Sequence, residues 1–155
     1  MYLTQIAKEI VAGINAAPST TWKTGGYSVP DDLQATFAFD PFSNSGKPGL
    51  NIYVIPYYIE YNFTNVRKTK HTNNRKYITV ALALKVITTA APENDVVTEA
   101  EGTKILDLKE DLDNFLSTFE IPGATLKDME AEPLDDLKIQ DSYFIAATVL
   151  GYDSC

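Results

Sequence analysis

Residues Tyr77 to Thr88, YITVALALKVIT, are apolar on both sides of a two-residue repeat. Ile78, Val80, Leu82, Leu84 and Val86 fall on one side. Ala81 and Ala83 fall on the other, where short side chains leave room for a helix to sit close. A strand that is apolar on both faces needs cover on both, so it belongs in the middle of its sheet. The rest of the chain is read around this strand.

Upstream, Leu3, Ile6, Ile10, Val11 and Ile14 recur at helical spacing. They predict an amphipathic helix from Leu3 to Ala16, stopped before Pro18. Ser19 to Asp32 reads as a loop carrying Trp22 and Tyr27. Leu33 to Phe39 is a strand, and Asp40 to Gly49 a loop rich in turn residues. Leu50, Ile52 and Val54 alternate with Tyr53 and Ile55 in a strand from Leu50 to Pro56. Pro56 marks a strand end, a bulge or an edge, because it cannot donate to a ladder. Ile59, Tyr61 and Phe63 then share a face opposite Glu60, Asn62 and Thr64.

Downstream, Ala90 to Val97 is a linker, and Thr98 with Glu101 has capping-box spacing. Ile105, Leu108, Leu112, Phe115, Leu116 and Phe119 predict a second amphipathic helix, ending before Pro122-Gly123. Its polar face holds Asp107, Lys109, Glu110, Asp111 and Asp113. Leu126 to Pro133 and Ser142 to Gly151 read as strands. The order α-β-β-β-β-α-β-β predicts a single α+β domain over residues 1–155. Its sheet is mostly antiparallel, with both helices packed on one face and one long β-hairpin.

The tip of that hairpin carries the strongest charge signal. The chain has 13 Lys and Arg against 21 Asp and Glu, and five of the 13 stand between residues 67 and 76. This stretch, RKTKHTNNRK, holds Arg67, Lys68, Lys70, Arg75 and Lys76, the sole histidine His71, and no acid. Concentrated cations between two strands suit a hairpin tip that faces an anion, either nucleic acid or an acidic protein surface. A solvated turn is the alternative. No aromatic residue is interleaved in the stretch, so any nucleic-acid contact would be to backbone phosphates, without base stacking or sequence preference. A formal charge of −8 argues against DNA binding by the whole molecule. From Glu93 to Lys138 there are 14 acids and 4 bases. A cationic tip and an anionic half can pair head to tail between copies.

Catalysis finds little support. The only histidine, His71, sits among cations in an expected turn where nothing orients it as a base, and the only thiol, Cys155, is terminal. No nucleophile–base–orienter set is therefore indicated. With one His and one Cys, no zinc cluster can form within one subunit. No phosphate-binding or nucleophile-elbow motif occurs. Asp111 and Asp113 diverge by about 200° on a helix, and Asp135-Asp136 is explained by turn chemistry beside Pro133. No catalytic, cofactor-binding or metal residue is therefore assigned. The candidate contact residues are Arg67, Lys68, Lys70, His71, Arg75 and Lys76. The N-terminal sequence has no signal-peptide pattern, no stretch matches a membrane span, and the single Cys155 permits no internal disulfide. These features predict a protein made in cytoplasm-like conditions, where the sequon Asn62-Phe63-Thr64 stays unused.

From Leu33 onward the order of segments resembles the small head–tail joining proteins of tailed bacteriophages, of the tail-terminator or neck type. The resemblance rests on several stretches: the strand ending Val54-Ile55-Pro56; Ile59-Glu60 leading to the basic tip; the run Tyr77 to Leu82; and the helix closing on Phe115-Leu116. It continues through Glu130-Ala131-Glu132-Pro133-Leu134 and the final strand from Phe144 to Tyr152. The loop Asp40 to Gly49 and the lysine-rich tip depart from the family pattern and leave the neck layer open. The resemblance implies a structural virion protein, without cofactor, made in the bacterial host cytoplasm. Such a protein assembles as a ring, typically a hexamer, that caps the tail tube, meets the neck or connector proteins, and lets the genome pass. The basic tip would then face the lumen or a neighbouring ring. Other readings are a stopper, connector or tube subunit, or a non-viral module that docks an acidic partner through its basic hairpin.

Overall fold

The computed structural model describes residues 1–18, 35–39, 49–62, 75–87, 99–131, 138–140 and 143–154. Eight elements follow in order. Helix α1 spans Leu3–Ala16, then strands β1 (Ala35–Phe37), β2 (Gly49–Asn62) and β3 (Arg75–Ile87). Helix α2 spans Glu99–Thr118, and β4 (Ala124–Ala131), β5 (Lys138–Gln140) and β6 (Tyr143–Ser154) complete the chain. The sheet runs β1-β2-β3-β6-β4, and β5 pairs with the start of β6. Among the described residues, only the three-residue β1–β2 ladder is parallel, and every other strand pairing is antiparallel. The apolar run from Tyr77 lies inside β3, which pairs with β2 along its whole length and with β6 from Lys76 to Ile87.

Both helices cover one face. Ile6, Ala7, Ile10 and Ile14 of α1 and Leu108, Leu112 and Leu116 of α2 meet Ile52, Val54, Ile78, Val80, Leu82, Leu84, Leu150 and Tyr152 of the sheet. Complete burial of a Leu or Ile side chain stabilises the fold by about 1.5–3 kcal/mol. The helices go where the larger side chains are. On the opposite face Tyr53, Ile55 and Ala83 form a small cluster with Ala38, Ala81 and Ala147. The room left by Ala81 and Ala83 holds no helix among the described residues.

The stretch Leu50 to Pro56 and the start of the next, Ile59 to Asn62, are joined as one strand, where the sequence suggested two, and Phe63 and Thr64 lie outside the described residues. Their apolar faces have opposite parity, even numbers before Pro56 and odd numbers after it. A bulge between Pro56 and Tyr58 inserts one residue, so that Val54 pairs Leu82 and Ile59 pairs Ile78. Both then reach the helix-covered face, which unbroken alternation would deny one of them. Pro56 is tolerated because Val54 accepts a hydrogen bond from the Ala38 N–H (3.1 Å) on the β1 side. Two residues on, the proline nitrogen points to that same side, past the end of β1. A second bulge, between Leu126 and Asp128 in β4, likewise keeps Leu126 and Met129 against the core.

Other boundaries shift modestly. β3 begins at Arg75, so Arg75 and Lys76 belong to the strand and not to the turn. β4 begins at Ala124, directly after a tight turn in which Gly123 has φ 87°. Ala124 N donates to Ile121 O across that turn at 3.1 Å. Pro at the second position and a positive-φ Gly at the third are the residues such a turn requires. β6 runs on to Ser154, through Gly151. β5 has no counterpart in the sequence reading. Thr98, the expected cap of α2, lies outside the described residues.

The polar face of α2 is not uniformly solvated. Lys109 is 9% exposed and forms an ion pair with Asp113 at 2.9 Å. The other Asp113 oxygen accepts the hydroxyl of buried Thr148 on β6 at 2.8 Å. These two residues fasten the helix to the sheet, and Asp107 and Glu110 remain exposed. Asn15 does a similar job for α1. Its side-chain amide accepts the Ala35 N–H (2.7 Å) and donates to Ala35 O (3.1 Å), in effect pairing the helix with β1.

Candidate functional site

The two bulges fall in one transverse row of the sheet. Tyr58 pairs Thr79, Thr79 pairs Gly151, and Gly151 pairs Asp128. All four face away from the helices. Around them lies an open depression of about 460 Å³, also lined by Tyr57, Tyr77, Met129, Glu130 and Val149. The bulge turns Tyr57 and Tyr58 outward. They are 63% and 48% exposed, and their rings meet edge to face at 5.3 Å.

Tyr77 crosses the row. Its hydroxyl donates to Asp128 Oδ2 at 2.6 Å, and its ring occupies the space a side chain at position 151 would need. Gly151 is therefore required by close approach of the tyrosine. The Tyr77 hydroxyl is pushed up to about 12, first by its hydrogen bond to Asp128, then by partial burial and by the negative charge of Asp128. Thr79, at the floor, is 3% exposed, and its Oγ1 has no hydrogen-bond partner among the described residues. Such an orphaned hydroxyl costs about 1–3 kcal/mol unless a partner arrives. The depression therefore combines aromatic walls, two carboxylates, and an unused donor–acceptor group.

The basic residues are placed only in part. Arg67, Lys68, Lys70 and His71 lie outside the described residues. Arg75 pairs Asn62 at the start of β3. Lys76 lies on the helix side, where its ammonium donates to Met1 O at 3.4 Å and stands 5.3 Å from the Tyr2 ring. It thus anchors the chain start to β3. Asp135 and Asp136 are also outside the described residues. Among the described residues, no group of three or more His, Cys, Asp and Glu could hold a metal ion. No described helix is long and apolar enough to cross a membrane.

The sequence reading did not single out the tyrosine face. Its signals were present: adjacent tyrosines straight after Pro56, a parity switch across that proline, and a glycine at the end of the last apolar run. Asp128 carried no signal, since only the fold brings it across Gly151 to Tyr77. Fold and site together define an α+β protein with helices on one side of its sheet and an aromatic, acidic depression on the other. No protein-family model matches the chain, and comparison with curated proteins finds no match.

Proposed function

We propose that the protein is a structural virion subunit of a tailed phage, a tail terminator that assembles into a ring, with six copies expected. The ring caps the tail tube and joins it to the neck or connector proteins. The observation that carries this reading is the one-sided architecture. Both helices pack on one face, while the opposite face bears exposed Tyr57 and Tyr58. Exposed aromatic side chains on a sheet are common in contacts between subunits. The arrangement agrees with the segment order that resembles head–tail joining proteins. The basic residues 67–76 would face the lumen or a neighbouring ring, where multiplicity raises the local potential and passing DNA is met without sequence readout. In this reading the protein acts by assembly and has no catalytic role.

Native mass spectrometry of the purified chain, followed by electron microscopy of any ring, tests assembly. Replacing Arg67, Lys68, Lys70 and Arg75 by Ser, with Lys76 kept for its hold on Met1, tests the role in virions. Unjoined heads and tails, or tails of uncontrolled length, are expected. Joined, infectious particles at normal titre would remove these basic residues from any role in joining.

A further inference from the structure

We propose that the depression between the bulges is a receptor for lysine or arginine side chains, and that its occupant is residues 67–76 of a second copy of this chain. The occupant deepens the self-assembly reading and rests on it; the receptor stands on its own geometry. Three independent features point to a cation. Asp128 and Glu130 are two residues apart on one face of β4, and Tyr77 engages only one Asp128 oxygen, leaving acceptor capacity. Tyr57 and Tyr58 line the β2 side of the same depression, across β3 and β6 from the carboxylates, and offer ring faces to a further ammonium or guanidinium group. Thr79 lines the same floor with its Oγ1 buried and unpartnered among the described residues, so it would accept a guanidinium N–H once docking shifts the floor enough to uncover it.

Charge complementarity selects the occupant. Among the described residues, the lining includes two carboxylates and no base. The chain has a net charge of −8, so two copies repel unless the contact uses a locally basic piece. Residues 67–76 hold five of the 13 bases and no acid. A contact from this segment of one copy to the depression of the next is head to tail. Such a contact generates a ring when its rotation closes.

Two complementary variants test the contact. One carries Arg67→Ser, Lys68→Ser, Lys70→Ser and Arg75→Ser, with Lys76 kept because it holds Met1. The other carries the isosteric changes Asp128→Asn and Glu130→Gln. Each alone should be monomeric by native mass spectrometry, with circular dichroism unchanged. Their mixture should give heterodimers and nothing larger, since only one intact contact remains per pair. The synthetic peptide RKTKHTNNRK should bind the four-serine chain in a salt-sensitive way. Adding Asp128→Asn and Glu130→Gln to that chain should weaken binding about tenfold or more, the scale of one charge-assisted hydrogen bond. A wild-type chain that associates while the mixture stays monomeric overturns this contact and leaves the ring standing. A wild-type chain that is monomeric at every concentration overturns the ring and the occupant. Equal peptide affinity with and without the carboxylates overturns the receptor.

Discussion

Replacing Asp113 by Ala should destabilise the fold far more than a helix-surface change would. Asp113 accepts from Lys109 at 2.9 Å and from Thr148 at 2.8 Å. A hydrogen bond to a charged group contributes about 1.5–3 kcal/mol. Removing one member of a buried ion pair costs about 3–5 kcal/mol, because the other charge is left uncompensated. Here the side chains of Lys109 and Asp113 keep 11% and 23% exposure, so water can take up part of the loss. The expected cost is about 2–4 kcal/mol. Urea unfolding followed by circular dichroism would show a lower midpoint at unchanged slope. Glu110→Ala, one turn position away and exposed, should stay within about 0.5 kcal/mol. Thr148→Val should cost less than Asp113→Ala, and the double variant should be non-additive by about 1 kcal/mol or more, since the two share one bond. Lys109→Met with Asp113→Leu should recover much of the loss by replacing the pair with apolar groups. A cost below about 1 kcal/mol for Asp113→Ala would refute the idea that this carboxylate ties α2 to β6.

Tyr152 is buried in the core with its hydroxyl unpartnered among the described residues, and burial pushes it up to about 12. Because the folded value lies above the ordinary 10, its stabilisation is complete below pH 10 and is lost as pH rises toward 12. The loss should reach about 2–3 kcal/mol, and Tyr152→Phe should remove that alkaline slope while leaving neutral-pH stability equal or higher. A pH series of denaturant midpoints checks both. Asn15→Ala should cost about 1–3 kcal/mol in the same unfolding assay, because it strands both backbone groups of Ala35. Gly13→Ala should destabilise the fold despite a helix-propensity gain of about 1 kcal/mol, because the Phe119 ring occupies the space of the added methyl. A thermal-melting increase for Gly13→Ala would show that this ring moves aside freely.

Local patterns were enough for both helices, for β3 in the interior of the sheet, and for the α+β class. Helical spacing of Ile6, Ile10 and Ile14, or two-residue alternation through Leu82, reports which face each segment must bury, and burial dominates the energetics. The same patterns held the parity switch across Pro56 without saying how it is resolved. That depended on β3, whose ladder pins Val54 to Leu82 and Ile59 to Ile78 and forces one extra residue between them. Asp113, and Lys109 paired with it, looked like surface residues because the Asp113 tie to Thr148 joins positions 35 residues apart. The depression was hidden for the same reason. Tyr58, Thr79, Gly151 and Asp128 come from four strands, and only sheet register brings them into one row. A sequence states what each segment must hide from water; which polar groups then meet is decided by pairing across the sheet, where contact no longer follows distance along the chain.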